Sequence, residues 1–341
     1  MTYDVEQRIR HWLNAVGWSS HPFAQPNTVG EPLSQAEQET EDSSLWYSQK
    51  SPVRSGSPSS LTEPGISEED DLDYFDGLLA NNHALVWGGM GTGKSATRLV
   101  LRSTNSSLGR LVVEYANRSV QIRSPEQLAD KLSGLIMRAG LSLLDSSGLT
   151  AEQMLEDRGN PIASLRALVT NVRSVVKQPV IVLVDGVDVD MDGDWVKTIY
   201  QRVRPFLTPS FLEMAGINFK MFLPLEAKDR IEGLPGLRRY FDTDKLKSFS
   251  LIWNANTLLE MLRARLNRVQ CVSLDDISTD SAGMPFRLED NLIKMALRAG
   301  GPPRAMLRLG WHTIATHVKR TDYYENYRLT EHDFRAACAQ I

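Results

Sequence analysis

Only two cysteines occur in the chain, Cys271 and Cys338, and they stand far apart. That excludes a disulfide framework and a cysteine-rich metal site, and makes a reducing cytoplasm the expectation. Both thiols read as small, partly buried side chains. No apolar run approaches the ~20 residues that a membrane-spanning helix needs. The opening residues, Met1-Thr2-Tyr3-Asp4-Val5, lack a basic stretch followed by an apolar one, so no secretory leader is expected. Positive charge is not in excess: 38 Lys and Arg stand against 42 Asp and Glu, a net charge of −4. A domain built chiefly to coat nucleic acid would be basic overall, so that class is not favoured, although a local basic face is compatible with the balance. No internal repeat is found. What remains is 42% hydrophobic and 23% charged over 341 residues, the composition of a globular protein with one large domain or two small ones.

Val5, Ile9, Trp12, Leu13 and Val16 recur at helical spacing and predict a short amphipathic helix over residues 4–16. Residues 48–73 are rich in Ser, Pro, Gly and acid, including Glu68 to Asp71, and read as a loose linker or loop with a solvated acidic run. From Ala84 the pattern alternates between strands and helices. Apolar strands are expected at 84–87, 111–115, 180–184, 219–223 and 249–253. Helices are expected from Ser95, from a capping box at Ser124-Pro125-Glu126-Gln127, and from about Pro161 to Val176. Val180–Val184 is apolar on both faces, as a central parallel strand must be. Alternation of this kind predicts a parallel sheet with helices on both faces. Residues 255–318 carry only helical periodicity, and the segment from Leu329 reads as one short helix.

The glycines cluster where chemistry needs them. Gly88-Gly89-Met90-Gly91-Thr92-Gly93-Lys94-Ser95 fits G-x-x-x-x-G-K-[ST] at every position. Glycines let backbone N–H groups turn inward around phosphate oxygens. Lys94 supplies a compact positive charge for the β- and γ-phosphates, and Ser95 offers its hydroxyl to Mg²⁺. The following helix, through Ala96, adds its positive dipole end. An apolar strand before the loop and a helix after it complete the context of a nucleoside-triphosphate site. No guanine-reading Asn-Lys-x-Asp motif is visible, so ATP with Mg²⁺ is the expected ligand.

Val180–Val184 runs into Asp185-Gly186-Val187-Asp188. An acid at the carboxyl end of such a strand suits the Mg²⁺ water shell, which makes Asp185 the second metal-side residue with Ser95. The next position is Gly186, so no side chain there can polarise an attacking water. Asp188 is the nearest carboxylate for that role. Asp190, Asp192 and Asp194 continue the run without the spacing of a calcium loop.

These two motifs together resemble the STAND branch of AAA+-like P-loop ATPases, in which Asp-Gly-x-Asp is characteristic. His21-Pro22-Phe23 resembles an element of bacterial members that borders the adenine. Leu251-Ile252-Trp253 with the helix from Leu258 to Leu266 looks like a first lid helix. Gly300-Gly301-Pro302-Pro303-Arg304 resembles the sensor 2 element of Orc/Cdc6-type lids. The resemblance spans roughly residues 20–320. It implies a three-layer αβα sandwich with a central parallel five-stranded sheet of order 5-1-4-3-2, followed by an all-helical lid. The implied division is an N-terminal helix and adenine-bordering segment (1–47), the linker (48–73), the core (74–253), the lid (254–320) and a short C-terminal segment (321–341). It also implies that Pro22 and Phe23 lie at the base and that Arg304 reaches the γ-phosphate. Glu226, after the fourth strand, is the one candidate for a sensor 1 residue, and no arginine finger can be placed. Arg230, Arg238 and Arg239, and Arg263, Arg265 and Arg268, read as solvated basic faces.

The function implied is an ATP- and ADP-binding switch whose lid closure controls self-association or binding of a separate effector protein, in bacterial defence or signalling, with slow hydrolysis because of Gly186. Two alternatives stay open: a DNA-associated AAA+ loader or transposition regulator, and a nucleotide-binding scaffold without turnover. A membrane partner is not expected.

Overall fold

The computed structural model describes residues 3–18, 20–23, 53–55, 73–116, 122, 124–145, 159–187, 194–269, 273–299, 302–320 and 327–340. Along the chain run α1 (Tyr3–Ala15), β1 (Val53–Ser55), α2 (Asp73–Leu79), β2 (His83–Gly88), α3 (Lys94–Ser107), β3 (Val112–Ala116), α4 (Pro125–Asp145), α5 (Pro161–Val176), β4 (Val180–Asp185), α6 (Trp195–Val203), α7 (Pro209–Leu212) and β5 (Ile217–Pro224). Next come α8 (Lys228–Glu232), α9 (Arg238–Asp242), β6 (Leu246–Leu251), α10 (Ala255–Arg268), β7 (Ser278–Thr279), α11 (Leu288–Arg298), α12 (Pro302–His317), β8 (Leu329–Thr330) and α13 (Glu331–Cys338). By its contacts the chain divides into two compact units. One holds residues 53–88 and 94–251; the other holds 1–52, 89–93 and 252–341.

The first unit is built on a six-stranded sheet of order β1-β6-β2-β5-β4-β3. The pairs β6–β2, β2–β5, β5–β4 and β4–β3 are all parallel. These five strands, numbered from the P-loop strand, give the expected order 5-1-4-3-2, the fold of a P-loop nucleotide-binding sandwich. The sixth strand, β1, departs from the expected five. Val53–Ser55 lies in the segment read as a linker and pairs antiparallel with Phe249–Leu251. Nothing local announces it, because its partner lies some two hundred residues away in sequence.

Strand alternation sorts the core into two faces. Leu85, Trp87, Val113, Tyr115, Val182, Val184, Phe219 and Met221 point to one side, where they meet Leu128, Leu132 and Ile136 of α4 and Leu165, Leu168 and Val172 of α5. Ala84, Val86, Ile181, Leu183, Phe222 and Phe249 point to the other, against Leu78 of α2 and Leu101 of α3. That is the three-layer arrangement, with each fully buried aliphatic stabilising by roughly 1.5–3 kcal/mol before entropy is counted. α5 starts where it does because Asn160 accepts from the backbone N–H groups of Ile162 and Ala163, with Pro161 at the first helical position. It ends at Lys177 in the left-handed conformation. β6 ends at Leu251 rather than at the expected Trp253: Asn254 caps α10 through Thr257, and the two residues before it turn out of the sheet.

Two buried polar groups pin the end of the sheet opposite the loop. The fully buried Lys220 ammonium donates to the carbonyls of Ala80 and Asn82 and to Asn82 Oδ1, at 2.9, 2.8 and 3.1 Å. Burial, with Arg110 and Lys247 nearby, pushes its pKa down to about 7. His83 Nδ1 accepts from the backbone N–H of Phe219 at 3.1 Å. Burial, then Lys220, pushes the His83 pKa down to about 4.

The second unit is mostly helical. Leu258, Met261, Leu262 and Leu266 form the buried stripe of α10. Arg265 lies on that stripe, 3% exposed, and donates through Nε to the carbonyl of Pro22 at 2.7 Å. This corrects the reading of Arg265 as part of a solvated face: the long stem fills the core and the head finds a backbone acceptor. Arg263 is exposed as expected. α1 is held by Trp12, which is fully buried, donates to the carbonyl of Tyr327 at 3.1 Å and meets Trp18 edge-on. His317 of α12 contacts Asp333 of α13 at 3.0 Å, both fully buried at the side chain. Burial alone would raise the Asp333 pKa, but hydrogen bonds from His317 and Thr330 outweigh it and leave the carboxyl lowered. Two-residue strands β7 and β8 pair in parallel within this unit. Among the described residues, no helix is long and apolar enough to cross a membrane.

Candidate functional site

β2 delivers the loop. Its six residues are all buried and end at Gly88. Lys94 opens α3, 9% exposed, and its ammonium donates to the Gly88 carbonyl at 2.7 Å. The lysine head thus returns to Gly88, the last residue of β2. Ser95 is the next residue on α3. Its hydroxyl donates to Asp185 Oδ2 at 3.1 Å, and Asp185 closes β4. The structure therefore brings together Lys94 and Gly88, and Ser95 and Asp185. A hydroxyl and a carboxylate oxygen side by side form the hard oxygen set that Mg²⁺ prefers, so the residues present fit that ion. Ala96 is buried behind them at 2% exposure.

Gly186 explains the missing acid after Asp185. Its φ is 71°, in the left-handed region, and its N–H donates to Asp185 Oδ1 at 2.8 Å. That bond fixes the carboxylate while Oδ2 faces Ser95. A residue with a Cβ would pay roughly 1–2 kcal/mol for this backbone conformation. Asp188 lies outside the described residues.

Residues 89–93 belong to the second unit. Gly91 and Gly93 have φ of 79° and 93°, so consecutive N–H groups can turn to one side as an anion nest requires. Thr92 closes the loop on itself, its hydroxyl donating to the Gly89 carbonyl at 2.9 Å. Two further contacts hold this segment within its unit. Trp253 Nε1 donates to the Thr92 carbonyl at 2.8 Å, and the Arg304 backbone N–H reaches the Gly91 carbonyl at 3.4 Å. The first turn of α12 is thereby seated at Gly91, with the Arg304 side chain exposed. Met90 is 82% exposed at the tip of the loop.

Pro22 and Phe23 are packing residues of the same unit. Both are buried, and the Phe23 N–H donates to His21 Nδ1 at 3.1 Å. The Phe23 ring lies against Gly310 of α12, so close that a Cβ there would stand 2.3 Å from it. His21 stacks on Trp311 with centroids 4.1 Å apart, and burial, then Arg265, pushes its pKa down to about 3. Glu226 sits exposed in the turn after β5. Lys228, two residues on, donates to Ser250 Oγ at 3.1 Å, near the carboxyl end of β6. Gly300 and Gly301 lie outside the described residues.

One charged residue of this site was not read from the sequence. Arg98 of α3 places Nε 3.1 Å from Asp185 Oδ2 and pairs through Nη1 with Glu114 Oε1 of β3. The Nε–H is not aimed at the Asp185 oxygen, so the first contact is an ion pair rather than a hydrogen bond. The spacing carried the signal: Arg98 follows Lys94 and Ser95 by four and three residues, which puts the three on one helix face.

No protein-family model matches the chain, and no curated protein is significantly similar to it. Among solved structures, the chain is similar to the ORC1 protein of Aeropyrum pernix in complex with DNA, at 15% identity and a TM-score of 0.37 over 77% of this chain and 61% of that one. It is also similar to the ORC2 protein of Aeropyrum pernix in ADPNP–ADP complexes, at 15% identity and a TM-score of 0.39 over 78% of this chain and 64% of that one. The chain thus spans less than two thirds of either protein.

Proposed function

We propose that this chain binds ATP with Mg²⁺ through Gly88–Ala96 and works as a slowly hydrolysing switch. The observation that carries the reading is the pairing of Ser95 with Asp185 at 3.1 Å beside a Lys94 ammonium held at Gly88. Lys94 and the loop amides bind the phosphates, a charge-assisted set that a neutral turn would not provide. Ser95 and Asp185 hold the metal, which when bound neutralises charge on the terminal phosphates. Asp188 is the carboxylate that would orient water, and its separation from Asp185 by Gly186 and Val187 favours slow turnover. Arg304 is the cation that would distinguish triphosphate from diphosphate, a fork suited to phosphate oxygens. Pro22 and Phe23, buried in the helical unit, would back the base site from beneath its surface rather than line it. In this reading the triphosphate state closes the helical unit as a lid and alters the surface offered to a second copy or to an effector.

Calorimetric titration with ATP and Mg²⁺, and gel filtration with ATP, ADP or no nucleotide, test the proposal together. Binding that Lys94→Ala abolishes, and an elution position that differs between ATP and ADP, are expected. An identical monomer in all three conditions overturns the switch. Phosphate release lost in both Lys94→Ala and Asp185→Asn is the expected signature of turnover at this site.

A further inference from the structure

Asp185 offers its Oδ2 to Ser95, and in the proposed function that oxygen serves the magnesium ion; the role assigned below to Arg98 rests on that function. A permanent cation already stands at the same oxygen. Arg98 Nε lies 3.1 Å from Asp185 Oδ2, with each side chain only 17% exposed. A guanidinium does not shed its proton at any ordinary pH, so it cannot yield to a second cation by becoming neutral. It yields only by moving.

The surroundings give it a place to go. Arg98 Nη1 is already paired with Glu114 Oε1 on β3, and Arg102 Nη1 holds the other Glu114 oxygen at 3.2 Å. Arg98 therefore bridges two carboxylates, one at the site and one beside it. Letting go of Asp185 leaves its charge paired with Glu114 rather than buried alone, which would be costly. All four residues lie in the sheet unit, on α3, β3 and β4.

We infer that Arg98 is a built-in counter-ion for Asp185, which Mg²⁺ must displace toward Glu114, and that it sets the metal requirement of nucleotide binding. Without metal, Arg98 offsets the charge that Asp185 would otherwise present to incoming phosphates. With metal, it competes for the carboxylate. Its removal thus has effects of opposite sign in the two conditions, which simple damage to the site does not produce.

The test uses the full chain and a fluorescent ATP analogue, titrated in EDTA and across a Mg²⁺ series. Arg98→Gln is expected to weaken metal-free binding and to lower the half-saturating Mg²⁺ concentration, each by about 3- to 10-fold for one partly buried charge. Glu114→Gln removes the alternative anchor and is expected to raise the Mg²⁺ midpoint. A raised midpoint in Arg98→Gln would mean that the arginine merely orients Asp185 for the metal and would overturn the inference, as would no change in either condition. If Arg98→Gln does not fold, Glu114→Gln decides alone, and an unchanged or lowered midpoint there overturns the inference. Wild-type protein that binds no nucleotide sinks the functional reading and this one together; wild-type protein that binds normally beside an unresponsive Arg98→Gln sinks only this one.

Discussion

The indole N–H of Trp253 reaches the backbone carbonyl of Thr92 at 2.8 Å, tying the second residue after β6 to the glycine-rich loop. Both are nearly buried, at 9% and 6% exposure, so water is a poor substitute for either partner. Trp253→Phe keeps the ring and removes the donor. A hydrogen bond of this kind is worth about 1 kcal/mol, so ATP affinity should fall by roughly 3- to 10-fold. Calorimetry against ATP measures it. An unchanged affinity, with circular dichroism showing an intact fold, would mean that the loop holds its shape without the tryptophan.

Gly186 adopts φ of 71° directly after Asp185. Gly186→Ala should cost about 1–2 kcal/mol of stability for the left-handed backbone. Urea denaturation reads this from the midpoint. Gly186→Glu should suffer the same loss and gain no phosphate-release rate, because its backbone would pull away from the bond that fixes Asp185. Faster phosphate release by Gly186→Glu would refute that account.

Gly310 has the Phe23 ring where its Cβ would be, with ring carbons at 2.3 to 2.5 Å. Phe23 is 1% exposed and has little room to retreat. Gly310→Ala should lower stability by about 1–3 kcal/mol as an overpacked contact, and Phe23→Leu in the same chain should restore part of it. Additive losses in the double variant would show that the two residues do not press on each other.

His83 provides a pH dependence with a definite sign. Its folded-state pKa is pushed down from 6.5 to about 4, chiefly by burial and then by Lys220, while its Nδ1 must stay unprotonated to accept from Phe219. Between pH 6.5 and 4 the unfolded chain binds the proton and the folded chain does not. Stability is therefore complete above pH 6.5 and is lost as the pH falls toward 4, by about 3 kcal/mol from this residue. His83→Asn keeps an acceptor and removes the titration. Denaturant midpoints from pH 4 to 7 should fall less steeply in the variant, and parallel profiles would exclude His83 as the cause.

The parts of the fold legible in the sequence are those with local causes. Gly88–Ser95 is legible because two glycines, a lysine and a hydroxyl residue stand at the fixed positions of one eight-residue motif. Asp185 is marked by the apolar strand ahead of it. Helix α5 shows its start through Pro161, which stands at its first position. What stayed hidden depends on pairing across the fold. β1 exists only through its register with β6. Arg265 reads as one of three helix arginines, and its burial against the Pro22 carbonyl separates it from the exposed Arg263. Arg98 lies within a turn of Lys94 and Ser95, but its role depends on Asp185 and Glu114, which two separate strands deliver.

One edge of the sheet is occupied. Val53–Ser55 covers β6 there, so the outer backbone groups of Phe249–Leu251 already have partners from their own chain. The opposite edge is β3, whose outer side pairs with no strand among the described residues. Copies of this protein cannot join β6 to β6 in a continuous ribbon without first expelling β1. A strand added from another molecule would therefore meet β1 at one edge and β3, beside Glu114, at the other.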